Sequence, residues 1–214
     1  GGMINLFGFP VYKTSLLNNK YNRDELIKTI NHNYDLDNNR NSWDNEWSDL
    51  HHSANDNNDK FKLLNYSQLL PIYEKCIVSF IKEIKLNNNV KLDYRIVNYT
   101  CMSDNQYMQS HLHTDADFTG VHYLQYDKTL NNSTTFNNSS HHSKYIEYIR
   151  PKLKDNFDNQ DIGNSWLFKN FKLPTKQDDL VIFPAIMQHS ISKVKTKKRR
   201  MTIIFNFNIE REEI

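Results

Sequence analysis

Cysteine is nearly absent from this chain of 214 residues, which holds 2, Cys76 and Cys101. Two distant thiols in apolar surroundings supply no disulfide framework and fit a reducing compartment such as the cytosol. Glycine and proline are also sparse, 5 of each, which excludes collagen-like and Pro/Gly-rich low-complexity chains. No apolar run reaches the roughly 18 residues of a membrane span. The opening GGMINLFGFP has neither the charged nor the apolar region of a secretory signal. An excess of charge of one sign is lacking too. With 27 Lys and Arg against 25 Asp and Glu, the net charge is +2, and there is no strong nucleic-acid or membrane footprint. The expectation is a cytoplasmic protein (host cytoplasm if the source is viral) without a membrane partner. Nothing in the sequence fixes its oligomeric state.

What is present is enough apolar material for a core. At 38% hydrophobic and 13% aromatic, the length suits one domain over 1–214. Residues 4–17 read as extended. The segment YNRDELIKTINHNYD places Leu26, Ile27 and Ile30 on one face and predicts a helix over about 22–33. Residues 35–60 are polar and read as loop, with Trp43 and Trp47 as packing anchors and His51-His52 at the surface. Leu69, Tyr73, Cys76, Ile77, Phe80 and Ile84 repeat at helical spacing and predict a helix over 68–85, with Ser67 as N-cap and Pro71 in the first turn.

After residue 90 the period changes. KLDYRIVNYTCM, QYMQSHLHTD and FTGVHYLQYD are short, β-branched and aromatic, and predict strands. A polar insertion over 128–163 reads as a surface loop with one strand at KYIEYI and the surface pair His141-His142. Strands resume at SWLFKN, DLVIFPA, HSISKVK and RRMTIIFNFNIE. Residues 1–90 thus form a helical and loop support, and 91–214 an antiparallel β body, a sandwich or barrel.

The stretch HLHTDADFTGVHYLQY carries the chemistry. His111, His113 and Asp115 occupy every second position, so on a strand all three share a face. Two imidazoles and one carboxylate on one side of a metal are the facial set of non-haem Fe(II) sites, which leave positions open for substrate and O2. An H-x-D pair alone arises by chance about once in a chain of this kind. Its weight comes from the second half, where DDLVIFPAIMQHSISKVKTKKRRMTIIFNF adds His189 after an apolar strand and then a cation leading into the last strand. The basic run from Lys193 to Arg199 reads as a turn between strands. Alternation along the last strand sets Arg200, Thr202, Ile204 and Asn206 against Arg199, Met201, Ile203 and Phe205, and does not choose the inward face.

With LFGFPVY, HLHTDADFTGVHYL, DLVIFPAIMQHSI and RMTIIFNF in this order, the chain resembles the Fe(II)/2-oxoglutarate-dependent oxygenases. More narrowly, it resembles the "putative 2OG-Fe(II) oxygenase" family of bacteria and phages. The resemblance implies a mainly β, double-stranded β-helix (jelly-roll) core with N-terminal helices packed on its outer sheet. It implies Fe(II) held by His113, Asp115 and His189, with 2-oxoglutarate and O2 as co-substrates. Arg200 would grip the far carboxylate of 2-oxoglutarate by a two-point fork, with Tyr123 bonding to the same group. The narrower family also shows H-x-H here, which keeps His111 open as a ligand. The implied activity is hydroxylation of a substrate C–H, with a peptidyl residue such as proline as first guess. The alternatives are a nucleotide or small-molecule substrate, or a jelly roll that binds without catalysis.

Overall fold

The computed structural model describes residues 8–37, 48–86, 90–138, 143–153 and 167–211. Element order is β1 (Tyr12–Ser15), α1 (Arg23–Leu36), β2 (Ser48–Asp49), β3 (His51–His52), α2 (Leu70–Glu83), β4 (Val90–Met102), β5 (Tyr107–His111), β6 (Phe118–Gln125), β7 (Thr135–Asn137), α3 (Ser143–Leu153), β8 (Asn170–Lys172), β9 (Asp179–Pro184), β10 (His189–Ile191) and β11 (Arg200–Arg211). The strands form two antiparallel sheets, a larger one in the order β1-β9-β6-β11-β4-β3 and a smaller one in the order β2-β5-β10-β7-β8. This is the expected jelly roll with helices on one side.

Alternation along the larger sheet separates two cores. Tyr99, Cys101, Leu124, Leu180, Ile182, Met201, Ile203, Phe205 and Phe207 face outward against Leu26 and Ile30 of α1 and Tyr73, Ile77 and Phe80 of α2. Both helices therefore pack their apolar stripes on one sheet face, as their spacing predicts. Residues of opposite parity, Val121, Tyr123, Val181, Phe183 and Ile204, face inward with Phe136 of β7. Gly120 is required where β6 crosses Phe205, because a Cβ there would lie 2.0 Å from the ring.

Several local expectations are corrected. α1 runs on to Leu36. α2 starts at Leu70 without a side-chain cap, so Ser67 is not its N-cap. KYIEYI lies in α3, not in a strand. Its residues have β propensity, but Tyr145/Tyr148 and Ile146/Ile149 also sit three apart, and burial of Ile146 selects the helical reading. The SWLFKN strand begins late, at Asn170. Trp43, Trp47, Trp166 and His141-His142 lie outside the described residues. His51 and His52 are buried on β3, not at the surface. His51 Nδ1 meets Asp37 Oδ2 at 2.6 Å, and its Nε2 lies 3.1 Å from the Tyr99 hydroxyl. Carboxylate and hydroxyl partners remove the cost of burying this imidazole, which composition alone does not reveal. No helix among the described residues is long and apolar enough to cross a membrane.

Candidate metal centre

β10 pairs with β5 so that His189 stands opposite His111, and β5 then ends. His113, two residues on, is fixed through its backbone N–H, which donates to the Ala185 carbonyl at 2.9 Å. The three imidazoles converge inside the barrel, with candidate ligand atoms all within 4.8 Å of one another. Ring centroids of His111 and His189 are 4.2 Å apart, and those of His113 and His189 lie 5.4 Å apart with nearly parallel planes.

Two of the rings are already oriented. His111 Nδ1 is 2.9 Å from the Gln109 carbonyl, and His189 Nδ1 is 2.8 Å from the Met187 carbonyl. A carbonyl only accepts, so each Nδ1 carries the proton and each Nε2 keeps its lone pair for a metal. Burial, then the neighbouring His111, pushes His189 down to about 3 and His113 to about 4; burial also lowers His111. All three are therefore neutral near pH 7, the protonation state in which imidazole binds a metal. Three neutral imidazoles suit a borderline divalent ion such as Fe(II).

Asp115 is not brought into this cluster. Its Oδ2 receives Arg95 Nη2 at 3.0 Å and its Oδ1 receives Asn206 Nδ2 at 3.4 Å. Residue 115 lies in the bend between β5 and β6, where strand alternation no longer sets side-chain direction. The even spacing of the three candidates therefore overstates their likeness.

Deeper in the barrel lies the second half of the site. Arg200 is the largest fully buried side chain among the described residues and faces inward. Its Nε donates to the Asn132 carbonyl at 3.0 Å, while Nη1 and Nη2 have no hydrogen-bond partner among the described residues. The guanidinium sits over the Tyr123 ring, 5.2 Å from its centroid. Burial holds it below its ordinary range. A buried cation with two unused donors is complementary to a carboxylate. The Tyr123 hydroxyl shares a 2.6 Å hydrogen bond with Thr134 Oγ1 and can turn to such a ligand. Arg199, in contrast, faces outward to Asp35 and Asn31 of α1. Thr134 and Asn132 escaped sequence reasoning because they lie in the polar insertion and have no periodic pattern. Phe136, Phe183 and Ile204 line the barrel on the same inner face, giving a dry sleeve.

The family model described as "Putative 2OG-Fe(II) oxygenase" matches residues 98–206, a span that contains every residue just placed in the two halves of the site except Arg95. Among solved structures, a prolyl-4-hydroxylase of Pseudomonas putida is similar over 97% of this chain and 95% of its own, at 9% identity and a TM-score of 0.53. The viral collagen prolyl hydroxylase of Paramecium bursaria Chlorella virus-1, in complex with 2-oxoglutarate, is similar over 92% of this chain and 94% of its own, at 11% identity and a TM-score of 0.51. At these identities the likeness is one of fold. No curated protein sequence matches the chain.

Proposed function

The chain belongs to the putative 2OG-Fe(II) oxygenase family, and we propose that within it the protein hydroxylates a C–H bond of a peptidyl residue, proline first. It is a 2-oxoglutarate-dependent dioxygenase using Fe(II) and O2. When bound, Fe(II) would supply the place where O2 oxidises 2-oxoglutarate to succinate and CO2, with one oxygen atom going to the substrate C–H. Everything else is done by the chain. His111, His113 and His189 would hold the metal through nitrogens that burial keeps unprotonated. Arg200 fixes the far carboxylate of 2-oxoglutarate with its two free Nη groups, and Tyr123 adds a hydroxyl donor. Phe136, Phe183 and Ile204 exclude water from the reacting atoms. Asp115 is the alternative third ligand, reached only if it leaves Arg95 and Asn206.

The observation that carries this reading is the pairing, in one barrel, of a three-imidazole cluster with a buried guanidinium whose Nη groups have no partner. Support for a peptidyl substrate is the fold shared with the two prolyl hydroxylases. The test is succinate release by the Fe(II)-loaded protein given 2-oxoglutarate, together with metal content of single variants. His111→Ala, His113→Ala and His189→Ala are expected to lose bound Fe(II), and Asp115→Ala to keep it. Metal loss in Asp115→Ala with retention in His111→Ala would restore the carboxylate as the third ligand. No succinate, together with no thermal protection by 2-oxoglutarate, would refute the class of chemistry.

A further inference from the structure

β4 is much longer than the strand that covers its outer side. β3 pairs only with Thr100 and Cys101, while β11 pairs with β4 from Val90 to Met102. Along Val90–Val97, among the described residues, no hydrogen bond from any other element reaches the backbone on the side away from β11. An edge of this kind is a row of unused N–H and C=O groups, and it matches another extended backbone better than any other ligand.

Three features distinguish this edge from an ordinary solvated one. It leads into the metal site, because Arg95 on β4 is tied to Asp115, two residues beyond His113. It bends there as well, since the register shifts between Ile204 and Phe205 and leaves Val97 as the extra residue of a bulge. Next to the bulge, Asn98 stands opposite Ile204 on the inner face, and its Oδ1 is buried without a partner among the described residues. That acceptor waits for an N–H donor at the point where the edge meets the barrel. Finally, Lys91 pairs across the ladder with Glu210 and Arg95 with Asp115, both pairs at the exposed surface, and Val97 is exposed at the edge.

We propose that an extended peptide substrate docks by strand addition to the Val90–Val97 edge of β4, passing Asn98 so that one of its side chains enters the barrel. The inference rests on the peptidyl reading of the preceding subsection. The backbone ladder supplies affinity with little dependence on sequence, while Asn98 Oδ1 accepts from a substrate amide near the reacting residue and sets its depth. Arg95 and Asp115 flank the path and select among the neighbouring substrate side chains.

The test uses the Fe(II)-loaded protein with 2-oxoglutarate and a pool of short synthetic peptides, proline fixed at the centre and flanks randomised. A peptide that gains one oxygen is then resynthesised. Three results are expected. Its binding slows amide exchange within Val90–Val97. N-methylation of every second backbone nitrogen on one parity weakens binding about tenfold, and on the other parity has little effect. Of Leu92→Pro and Asp93→Pro, the one whose N–H points outward keeps its melting temperature and loses peptide binding. A peptide that is oxidised without exchange protection on β4 and without parity dependence overturns strand addition and leaves the peptidyl reading intact. Failure of the whole pool to be bound or oxidised overturns the peptidyl reading, and strand addition with it.

Discussion

Replacing Arg200 with methionine should stabilise the ligand-free protein and abolish its response to 2-oxoglutarate. The guanidinium is fully buried, and its Nη1 and Nη2 are unpaired. Each unsatisfied buried donor costs about 1–3 kcal/mol, more for a charged group. Against this stand one hydrogen bond from Nε to the Asn132 carbonyl and the contact with the Tyr123 ring, together worth about 2 kcal/mol. Methionine keeps the length and flexible apolar stem while removing the charge. The net gain is about 2 kcal/mol, within a range of roughly 0–4, which in a chain of this size raises the melting temperature by roughly 4–8 °C. For the native protein, 2-oxoglutarate at a hundred times its Kd adds about 2.7 kcal/mol, and that increment should vanish in Arg200→Met. Thermal melts of Fe(II)-loaded protein, with and without 2-oxoglutarate under nitrogen, measure both effects. A variant that melts below the native protein, or that keeps the 2-oxoglutarate increment, would refute the assignment of Arg200 as a preformed carboxylate site.

Two further predictions concern the support beneath the site. Gly120→Ala places a Cβ 2.0 Å from Cζ and 2.2 Å from Cε1 of Phe205, a fully buried ring stacked 4.7 Å from Tyr73. A loss of about 3 kcal/mol in urea titration is expected, largely recovered in Gly120→Ala/Phe205→Leu; unchanged stability would show that β6 shifts freely. The second concerns acid. His122, on the helix side of β6, takes a hydrogen bond from the Tyr73 hydroxyl at 2.7 Å and faces Asp178 Oδ1 at 3.3 Å, with Tyr21 and Arg23 also at Asp178. Burial lowers its affinity for a proton, only partly offset by Asp178. The unfolded chain therefore binds the extra proton first. The contribution of His122 is complete above pH about 6.5 and declines as pH falls below it, at up to about 1.4 kcal/mol per pH unit. Urea midpoints at pH 7 and 5 measure the decline, to which His52, His111, His113 and His189 contribute in the same direction, and His122→Gln should make it shallower; an equal slope in the variant would assign the whole decline to those groups.

Periodicity carried the layers of the fold because it reports which face of an element meets apolar neighbours. The stripe on α2 and the alternation of β6, β9 and β11 were legible for that reason, and with them the opposed directions of His122 and Tyr123. Periodicity does not report which of two faces becomes the inside. The last strand is apolar on its outer face because two helices cover it, and its inner face carries Arg200, Thr202 and Asn206, so Arg199 and Arg200 could be told apart only by resemblance or by structure. His51 and His52 failed for a related reason. Their neighbours in sequence are polar, but the partners that make burial possible, Asp37, Asp56 and Tyr99, come from separate elements. Asp115 exposes the limit most directly. Spacing treats 111, 113 and 115 alike, yet the strand that gives spacing its meaning stops at His111. His113 stays in register because its N–H is tied to Ala185, and Asp115 has no such tie to the neighbouring strand. Arg95 and Asn206 hold its carboxylate instead, both on the larger sheet. The direction Asp115 takes is therefore decided by where a strand ends, and that boundary is among the least legible features of any sequence.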